Sequence, residues 1–406
     1  MKYIVMLGDG MSDYPVPELG GKTPLEAANK PNMDYLAAHG VVGMAKTVPD
    51  GYTPGSDVAN ISVIGYNPAD CYSGRSPLEA VSMGIDLADD DVTFRCNLVT
   101  LSDAENYEDA IMLDNAADEI STPEAAELMN YVNTNLRTDD FCFYPGVSYR
   151  HCAVMSHAET GSDLTPPHDI LDKPIKTYLP GGKYGERLLG FMKRSWELLR
   201  DHPINKARIE RGLRPANSCW FWGEGTRPSL NNFEEIYGKK GGMVSAVDLL
   251  KGIGICIGFK NAEVEGATGN IDTNFKGKAD AALEMLHSGC DIVYIHVEAP
   301  DESGHRGELD NKIRSIELID SEILGPVMNQ LRKEEEDFSV LLMPDHPTPT
   351  ALRTHVSDPV PFVLYRSDKE GALPAAGYSE KQAEATGLYL PEAHKIMSRF
   401  LSGEFI

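Results

Sequence analysis

The 406-residue chain has few basic residues and few cysteines, and it has no long apolar run. Its 37 lysines and arginines stand against 62 acidic residues, which leaves a formal charge of −25. A surface this negative repels nucleic acid and anionic membranes, so we expect neither as a partner. No apolar stretch approaches the ~20 residues that a bilayer requires. The apolar run at the N-terminus is too short for a signal peptide and leads directly to Asp9 and Asp13.

The seven cysteines are scattered, and no two have the Cys-x-x-Cys spacing. The sequence therefore contains neither a disulfide framework nor a zinc knuckle, and it predicts a reduced, cytoplasmic location. Several common catalytic motifs are also incomplete. Gly20-Gly-Lys-Thr23 resembles the end of a P-loop, but Val16 stands where that loop requires a glycine. The dinucleotide-binding glycine pattern and the Gly-x-Ser-x-Gly elbow of serine hydrolases are missing too.

The distribution of apolar residues predicts one α/β domain interrupted by an inserted α+β domain. Residues 1–88 and 265–406 contain continuous apolar runs that alternate with helical patterns, which is typical of a mostly parallel sheet flanked by helices. Residues 89–264 contain shorter alternating strands, helices and Pro- and Gly-rich breaks. We therefore predict a core domain over 1–88 and 265–406 and an inserted domain over 89–264.

Three apolar runs of the core domain each lead to an aspartate, namely Asp9, Asp301 and Asp345. Because ligands bind beyond the carboxyl ends of parallel strands, we expect these carboxylates to share one crevice. Three histidines accompany them: His305, His346 and His355. Three carboxylates and three imidazoles suit two divalent ions of intermediate hardness, such as Mn²⁺ or Zn²⁺, better than calcium. For any single aspartate, the capping of a turn or helix is the alternative interpretation.

Ser56 is the candidate nucleophile, because it opens a helical pattern that continues to Ile64. Backbone N–H groups and the helix dipole at that position stabilise an attached phosphate. A coordinated metal lowers the pKa of a serine hydroxyl and makes it a competent nucleophile. An ordinary helix N-cap is the alternative role for this serine.

The candidate residues lie in motifs that extend over nearly the whole chain. The core motifs are Gly8-Asp-Gly-Met-Ser-Asp13, Gly55-Ser-Asp-Val-Ala-Asn60, Asp301-Glu-Ser-Gly-His305, Pro344-Asp-His346 and Thr354-His355. Gly74-Arg-Ser-Pro-Leu-Glu79 follows them in the chain, and the predicted insert adds Tyr149-Arg-His151 and Pro167-His-Asp169. Together these motifs resemble the cofactor-independent phosphoglycerate mutases of the archaeal-type branch, within the alkaline phosphatase superfamily. The resemblance implies an alkaline-phosphatase-like core with an inserted lid domain, and an isomerase of glycolysis and gluconeogenesis.

The resemblance also implies a two-metal phosphoserine mechanism. One ion would be held by Asp301, His305 and His355, and the other by Asp9, Ser56, Asp345 and His346. Ser56 would take the phosphoryl group from 3-phosphoglycerate, and the retained glycerate would take it back on its 2-hydroxyl. The ions would be Mn²⁺ or Zn²⁺, with Mg²⁺ and Co²⁺ as alternatives, and no 2,3-bisphosphoglycerate would be needed. The inserted domain would exclude water, which would otherwise hydrolyse the phosphoserine.

Other polar residues of these motifs are candidates for substrate contacts. They are Arg75, Arg150, His151, His168, Asp169 and Arg306. We predict that Arg150 binds a carboxylate, that the arginines at 75 and 306 neutralise phosphate, and that the neighbouring histidines and aspartate move protons. For each residue, an ordinary surface or interdomain hydrogen bond is the alternative. Lys312 is expected to be a solvated helix residue.

Two other activities remain as alternatives at this stage. A related phosphotransferase, such as a homoserine kinase, would use the same metal core with different substrate contacts. A phosphomonoesterase would let water attack the phosphoserine. All three activities imply a small substrate rather than a macromolecule, and the sequence leaves a homo-oligomer open.

Overall fold

The computed structural model describes residues 1–369 and 371–404. Strands β1–β15 are, in chain order, Lys2–Gly8, Val41–Ala45, Val92–Leu101, Met112–Asp114, Phe141–Tyr144, Arg150–Met155, Ser162–Asp163, Gly181–Gly182, Ser218–Thr226, Gly241–Val244, Lys260–Asn261, Ile292–Val297, Phe338–Met343, Val360–Arg366 and Tyr389–Leu390. Helices α1–α16 are Pro24–Ala27, Pro31–His39, Ser56–Ile64, Pro68–Cys71, Ser76–Ser82, Thr122–Leu136, Gly185–Leu199, Pro203–Glu210, Phe233–Tyr237, Asp248–Cys256, Phe275–His287, Ala299–Arg306, Leu309–Leu318, Gly325–Lys333, Glu380–Ala385 and Ile396–Ser402.

The chain forms two compact units. The core unit contains Met1–Tyr72 and Ser229–Ile406, and the inserted unit contains Ser73–Pro228. The insert thus begins and ends earlier than the predicted 89–264. The insert begins before residue 89 because α5 packs its apolar side, including Ala80, on the sheet of the inserted unit. It ends before residue 264 because β10 and β11 pair within the core sheet, so the segment after 228 belongs to the core.

The core unit is built on an eight-stranded sheet in the order β11-β10-β12-β1-β13-β14-β2-β15. The strands from β11 to β13 are all parallel, and β14 runs antiparallel to both of its neighbours. Every residue of β12 and β13 is buried, because helices pack on the sheet. This burial on both faces explains why these strands are continuous apolar runs. The predicted mostly parallel sheet is confirmed.

Three adjacent strands of this sheet position the predicted ligands. Strand β1 lies between β12 and β13, and all three run in the same direction. Their carboxyl ends therefore meet at one edge of the sheet, where Asp9 follows β1, Asp301 follows β12 and Asp345 follows β13. In the same unit, α13 and α14 are joined by the π-helical segment Ile319–Leu324.

The inserted unit is an α+β structure, as predicted. In its antiparallel sheet, β3 pairs with β4, β6 and β9, while β5 pairs with the far side of β6. Helices α6 and α7 pack against this sheet over an aromatic core, in which the rings of Phe141 and Phe191 stack at 4.4 Å. Within the described ranges of both units, no helix combines the length and the apolar character that crossing a bilayer would demand.

Candidate metal centre

The seven predicted metal ligands all lie in the core unit, on loops and helix ends beyond the sheet. Asp301 and His305 are both on α12, four residues apart, so their side chains lie on the same face of one helical turn. Asp345 and His346 follow β13 directly, and His355 lies in the segment before β14. The helix spacing and the parallel strand ends bring these side chains together from distant parts of the sequence.

Asp301 and two histidines form the first part of the cluster. The Nε2 atoms of His305 and His355 lie 3.3 Å from the two carboxylate oxygens of Asp301 and 2.8 Å from each other. Hydrogen bonding to Asp301 raises the pKa of His305 to about 9. Burial alone would raise the pKa of Asp301, but the hydrogen bonds from both rings bring it well below its usual value. This part of the cluster therefore attracts positive charge.

Asp9, Asp345 and His346 form the second part, which is almost completely buried. His346 Nε2 lies 3.6 Å from Asp9 Oδ1 and 3.4 Å from Asp345 Oδ2. Burial and the neighbouring carboxylates of Asp345 and Asp301 raise the pKa of Asp9 well above its usual value. Carboxylates this close together and this far from water keep their negative charges only beside a compensating cation.

The Ser56 hydroxyl adjoins this second part. Ser56 is the first residue of α3, and its Oγ lies 3.3 Å from Asp9 Oδ2 and 3.2 Å from His346 Nε2. Farther along the same helix, Asn60 donates its side-chain amide to Asp345 Oδ2 at 2.9 Å and to the Ser56 carbonyl at 2.8 Å. The helix therefore fixes both the hydroxyl and one of the carboxylates.

The hydrogen bonds of the three imidazoles fit metal binding. In each ring Nδ1 faces an oxygen: the Arg353 carbonyl for His305, the Pro54 carbonyl for His355 and the Thr348 hydroxyl for His346. With a divalent ion in place of the hydrogen bonds to Asp301, a proton on Nδ1 of each ring would leave the three Nε2 lone pairs to the ion. Among the described residues, the buried Asp9 Oδ1 also has no hydrogen-bond partner. The donor set is therefore suited to divalent ions.

Ligand atoms lie within 4.8 Å of one another in two overlapping groups. These groups are Asp301, His346 and His355, and Asp9, Asp345 and His346. The structure thus brings all seven predicted ligands into one cluster, and His346 lies at the junction of its two parts. The division of ligands between two ions stays a prediction.

Arg306, which also belongs to the core unit, follows His305 but contacts other residues. Its guanidinium donates to Glu302 at 2.7 Å and also contacts Asn270. Glu302 raises the pKa of this already basic group. The predicted phosphate contact of Arg306 stays a prediction.

The remaining predicted residues lie in the inserted unit. Arg75 precedes α5 and donates from Nε to Glu79 at 2.9 Å, while Arg150 is exposed at the start of β6. Consecutive residues of a strand face opposite sides of the sheet, so His151 lies on the side away from Arg150. His151 is buried, and burial lowers its pKa to about 3. The ring accepts the Gly146 amide at 3.0 Å, and the predicted proton transfer by His151 stays a prediction.

His168 and Asp169 lie on a short 3₁₀ turn of the inserted unit and are both partly exposed. His168 Nε2 is 3.7 Å from Asp169 Oδ1, which is too long for a hydrogen bond. The ring of His168 instead approaches the ring of Trp222, with centroids 5.2 Å apart. The two side chains are therefore not hydrogen-bonded to each other in this structure. The predicted proton transfer by His168 and Asp169 and the predicted substrate contacts of Arg75, Arg150 and Asp169 stay predictions.

Comparison with known proteins places the chain in a family. It is 50% identical over 400 residues, covering 98% of both chains, to the 2,3-bisphosphoglycerate-independent phosphoglycerate mutase of Methanosarcina barkeri. It is 49% identical over 401 residues, covering 99% of this chain and 100% of its relative, to the probable enzyme of that name from Geobacter sulfurreducens. The chain belongs to the 2,3-bisphosphoglycerate-independent phosphoglycerate mutase family. The family model of that description matches residues 37–205.

Two solved structures show the same fold. A protein from Pyrococcus horikoshii is 30% identical, with a TM-score of 0.82 and coverage of 99% of this chain and 97% of the other. The cofactor-independent phosphoglycerate mutase from Thermoplasma acidophilum is 24% identical, with a TM-score of 0.66 and 99% coverage of both chains. The family resemblance and the mostly parallel α/β core predicted from the sequence are thereby confirmed.

The structure adds residues to this mutase-family site that sequence reasoning missed. His296 in β12 lies 2.9 Å through Nε2 from Asp9 Oδ2, and its Nδ1 lies 3.2 Å from the Ser245 hydroxyl. An ionised Asp9 carboxylate only accepts, so in the neutral ring Nε2 carries the proton and Nδ1 accepts the Ser245 hydroxyl, which itself accepts the Val247 amide at 3.0 Å. Burial lowers the pKa of His296 to about 3 and keeps the ring neutral. A histidine inside an otherwise apolar strand run was the available signal.

Proposed function

We propose that this chain interconverts 3-phosphoglycerate and 2-phosphoglycerate through a phosphoserine formed on Ser56, without 2,3-bisphosphoglycerate. Full-length relatives that carry the mutase name support the reaction. The observation that carries the mechanism is the place of the Ser56 hydroxyl at the start of α3, within 3.3 Å of Asp9 and 3.2 Å of His346. A nucleophile beside a cluster suited to cations is what phosphoryl transfer requires.

The cluster supports the use of two divalent ions. We assign Asp301, His305 and His355 to one ion, and Asp9, Ser56, Asp345 and His346 to the other. Mixed imidazole and carboxylate ligands suit Mn²⁺ and Zn²⁺, and Co²⁺ and Mg²⁺ are the alternatives to be compared with them. Bound there, such ions neutralise phosphate charge and lower the pKa of the serine hydroxyl.

The chain's own residues then perform two transfers. In the first, a bond forms between Ser56 Oγ and phosphorus, and the bond from phosphorus to the substrate's 3-oxygen breaks. The serine proton leaves and the 3-oxygen of glycerate gains one. In the second, a bond forms between the 2-oxygen of glycerate and the same phosphorus, and the bond from phosphorus to Ser56 Oγ breaks. The 2-hydroxyl loses its proton and Ser56 regains one. Backbone N–H groups at the start of α3 stabilise the phosphoryl group on Ser56.

We also propose a cytoplasmic location, where a small phosphorylated acid is the substrate. All seven cysteines are free in the structure, which fits a reducing compartment. The oligomeric state is a separate measurement, for example by light scattering.

Replacement of Ser56 tests the mechanism. The variant Ser56→Ala removes only the acceptor oxygen, so we expect mutase activity to fall by roughly a thousandfold or more, as for other covalent nucleophiles. The matched control is Ser62→Ala in the same helix, because the Ser62 hydroxyl is buried and donates to the Val58 carbonyl. The control should retain activity. Wild-type-like activity of Ser56→Ala would contradict the phosphoserine route.

A substrate panel separates the proposed reaction from its alternatives. The Mn²⁺-loaded protein is given 3-phosphoglycerate alone, and homoserine with ATP in a parallel reaction. We expect 2-phosphoglycerate from the first reaction, with little free phosphate, and no product from the second. Phosphohomoserine formation without mutase activity would establish a kinase instead, and free phosphate as the main product would establish a phosphomonoesterase.

A further inference from the structure

Lys312 is completely buried in the core unit, in contrast to the solvated position expected from the sequence. Its ammonium group donates three hydrogen bonds: to Asp13 Oδ2 at 2.9 Å, to the Ser12 carbonyl at 3.1 Å and to the Thr348 carbonyl at 2.8 Å. An ammonium group has three donors, so all of them are used. Removing a charge from water is costly, and the complete pairing of this ammonium group offsets that cost.

The three acceptors belong to two segments that carry metal ligands. Ser12 and Asp13 lie in the loop after β1 that begins with Asp9, and Thr348 lies in the loop after β13 that begins with Asp345. Lys312 itself is on α13, which follows the helix of Asp301 and His305. The ammonium group therefore joins the segments that follow three adjacent strands.

Two further contacts connect these loops to the ligands themselves. The Thr348 hydroxyl donates to Asp301 Oδ1 and lies 3.3 Å from His346 Nδ1. Asp13 Oδ2, the partner of Lys312, also accepts the Thr350 amide at 3.0 Å. A displacement of the loop that contains Thr348 would thus move ligands of both parts of the cluster.

We infer that Lys312 is a positioning residue for the metal centre, because its ammonium group fixes the two ligand-bearing loops against α13. This inference rests on the proposed function, since it assumes that the cluster binds divalent ions. Lys312 touches no ligand atom among its hydrogen bonds, so its effect passes through Asp13, Ser12 and Thr348.

A purely electrostatic role of Lys312 predicts the opposite result. A positive charge near the carboxylates repels an incoming cation, so its removal would strengthen metal binding. The loss of a positioning contact weakens metal binding instead, and residues that support metal ligands typically contribute 10- to 100-fold in affinity. The direction of the change in affinity therefore separates the two roles.

The test is a titration of the metal-free full-length protein with Mn²⁺ by isothermal calorimetry. In Lys312→Met the charge and the three donors are lost, and we expect the affinity to fall by about 10- to 100-fold. In Lys312→Gln the charge is lost, but an amide remains that can donate to Ser12 and Thr348, so we expect a smaller fall. The control is Lys30→Met, which removes an almost equally buried ammonium group that pairs with Asp34 at 2.8 Å. Its Mn²⁺ affinity should equal that of the wild type.

A second readout covers the structure of the site and the fold of the variants. The Co²⁺ absorption spectrum reports ligand geometry, and we expect it to change in Lys312→Met and not in Lys30→Met. Circular dichroism identifies any variant that fails to fold, in which case Lys312→Gln carries the test. Unchanged or tighter Mn²⁺ binding in a folded Lys312 variant would overturn this inference alone. A wild-type protein that binds no divalent ion would overturn the proposed function as well.

Discussion

Divalent ions should stabilise the core unit strongly, because the folded chain holds three carboxylates together away from water. Asp9, Asp301 and Asp345 are each no more than 5% exposed. Burial and the other two carboxylates raise the pKa of Asp9, which means that the metal-free fold disfavours its negative charge. The unfolded chain separates these groups and has no preformed site. An ion that binds the folded state alone therefore increases the free energy of unfolding.

The size of this stabilisation follows from the number of metal sites. One ion at a concentration of 100 times its Kd contributes about 2.7 kcal/mol, so two ions contribute about 5 kcal/mol. In a unit of this size, 1 kcal/mol changes the melting temperature by about 2–4 °C. We therefore expect saturating Mn²⁺ to raise the melting temperature by roughly 10–20 °C over the chelator-treated protein.

The assay is differential scanning calorimetry with Mn²⁺ or with EDTA. The variant Asp9→Asn keeps the shape of the side chain but removes one ligand charge, so we expect it to lose about half of the metal-dependent shift. The control is Asp320→Asn, because Asp320 is equally buried but accepts the Met33 amide at 2.7 Å rather than facing the cluster. Its baseline stability will fall, but its metal-dependent shift should remain. A wild-type shift below about 2 °C, which is less than 1 kcal/mol, would refute the reasoning.

Two further predictions concern buried groups next to the cluster. His296→Phe removes the donor to Asp9, and we expect the Mn²⁺ affinity to fall by about tenfold; an unchanged calorimetric titration would contradict this role. Burial lowers the pKa of Lys278 to about 8, and its amine donates to the His296 carbonyl at 3.1 Å. Between about pH 8 and 10.5 the unfolded chain holds more protons at this lysine than the folded chain does, so its burial becomes less unfavourable as the pH rises. The free energy of unfolding, measured in urea, should rise more with pH in the wild type than in Lys278→Met. Parallel pH profiles of the two proteins would refute the lowered pKa of Lys278.

The location of the site could be predicted from the sequence because the sheet there is regular. Strands buried on both faces are continuous apolar runs, and a polar residue directly after such a run marks its carboxyl end. Asp9 and Asp345 were found in this way. The i, i+4 spacing of Asp301 and His305 is that of one helix face, and α12 has this geometry.

The residues that support the ligands could not be found by the same rule. Lys312 was expected on the surface, because two of its three acceptors, Ser12 and Asp13, are about 300 residues away in the chain. One local signal was available: the apolar Ile316 lies four residues after Lys312, on the same face of the helix. The boundaries of the insert were also missed, because whether β10 joins the core sheet depends on its pairing with β12 rather than on local composition.

The position of β1 in the middle of the core sheet has a consequence for synthesis on the ribosome. Tyr3 pairs with Ile292 on one side and with Ser339 on the other. At roughly 5–20 residues per second, the first of these neighbours is made roughly 15–60 s after β1. The strands of the insert, by contrast, have all their partners once Pro228 has been added. A nascent chain that stalls between these two points therefore holds a complete insert and an apolar N-terminal strand that still lacks both neighbours.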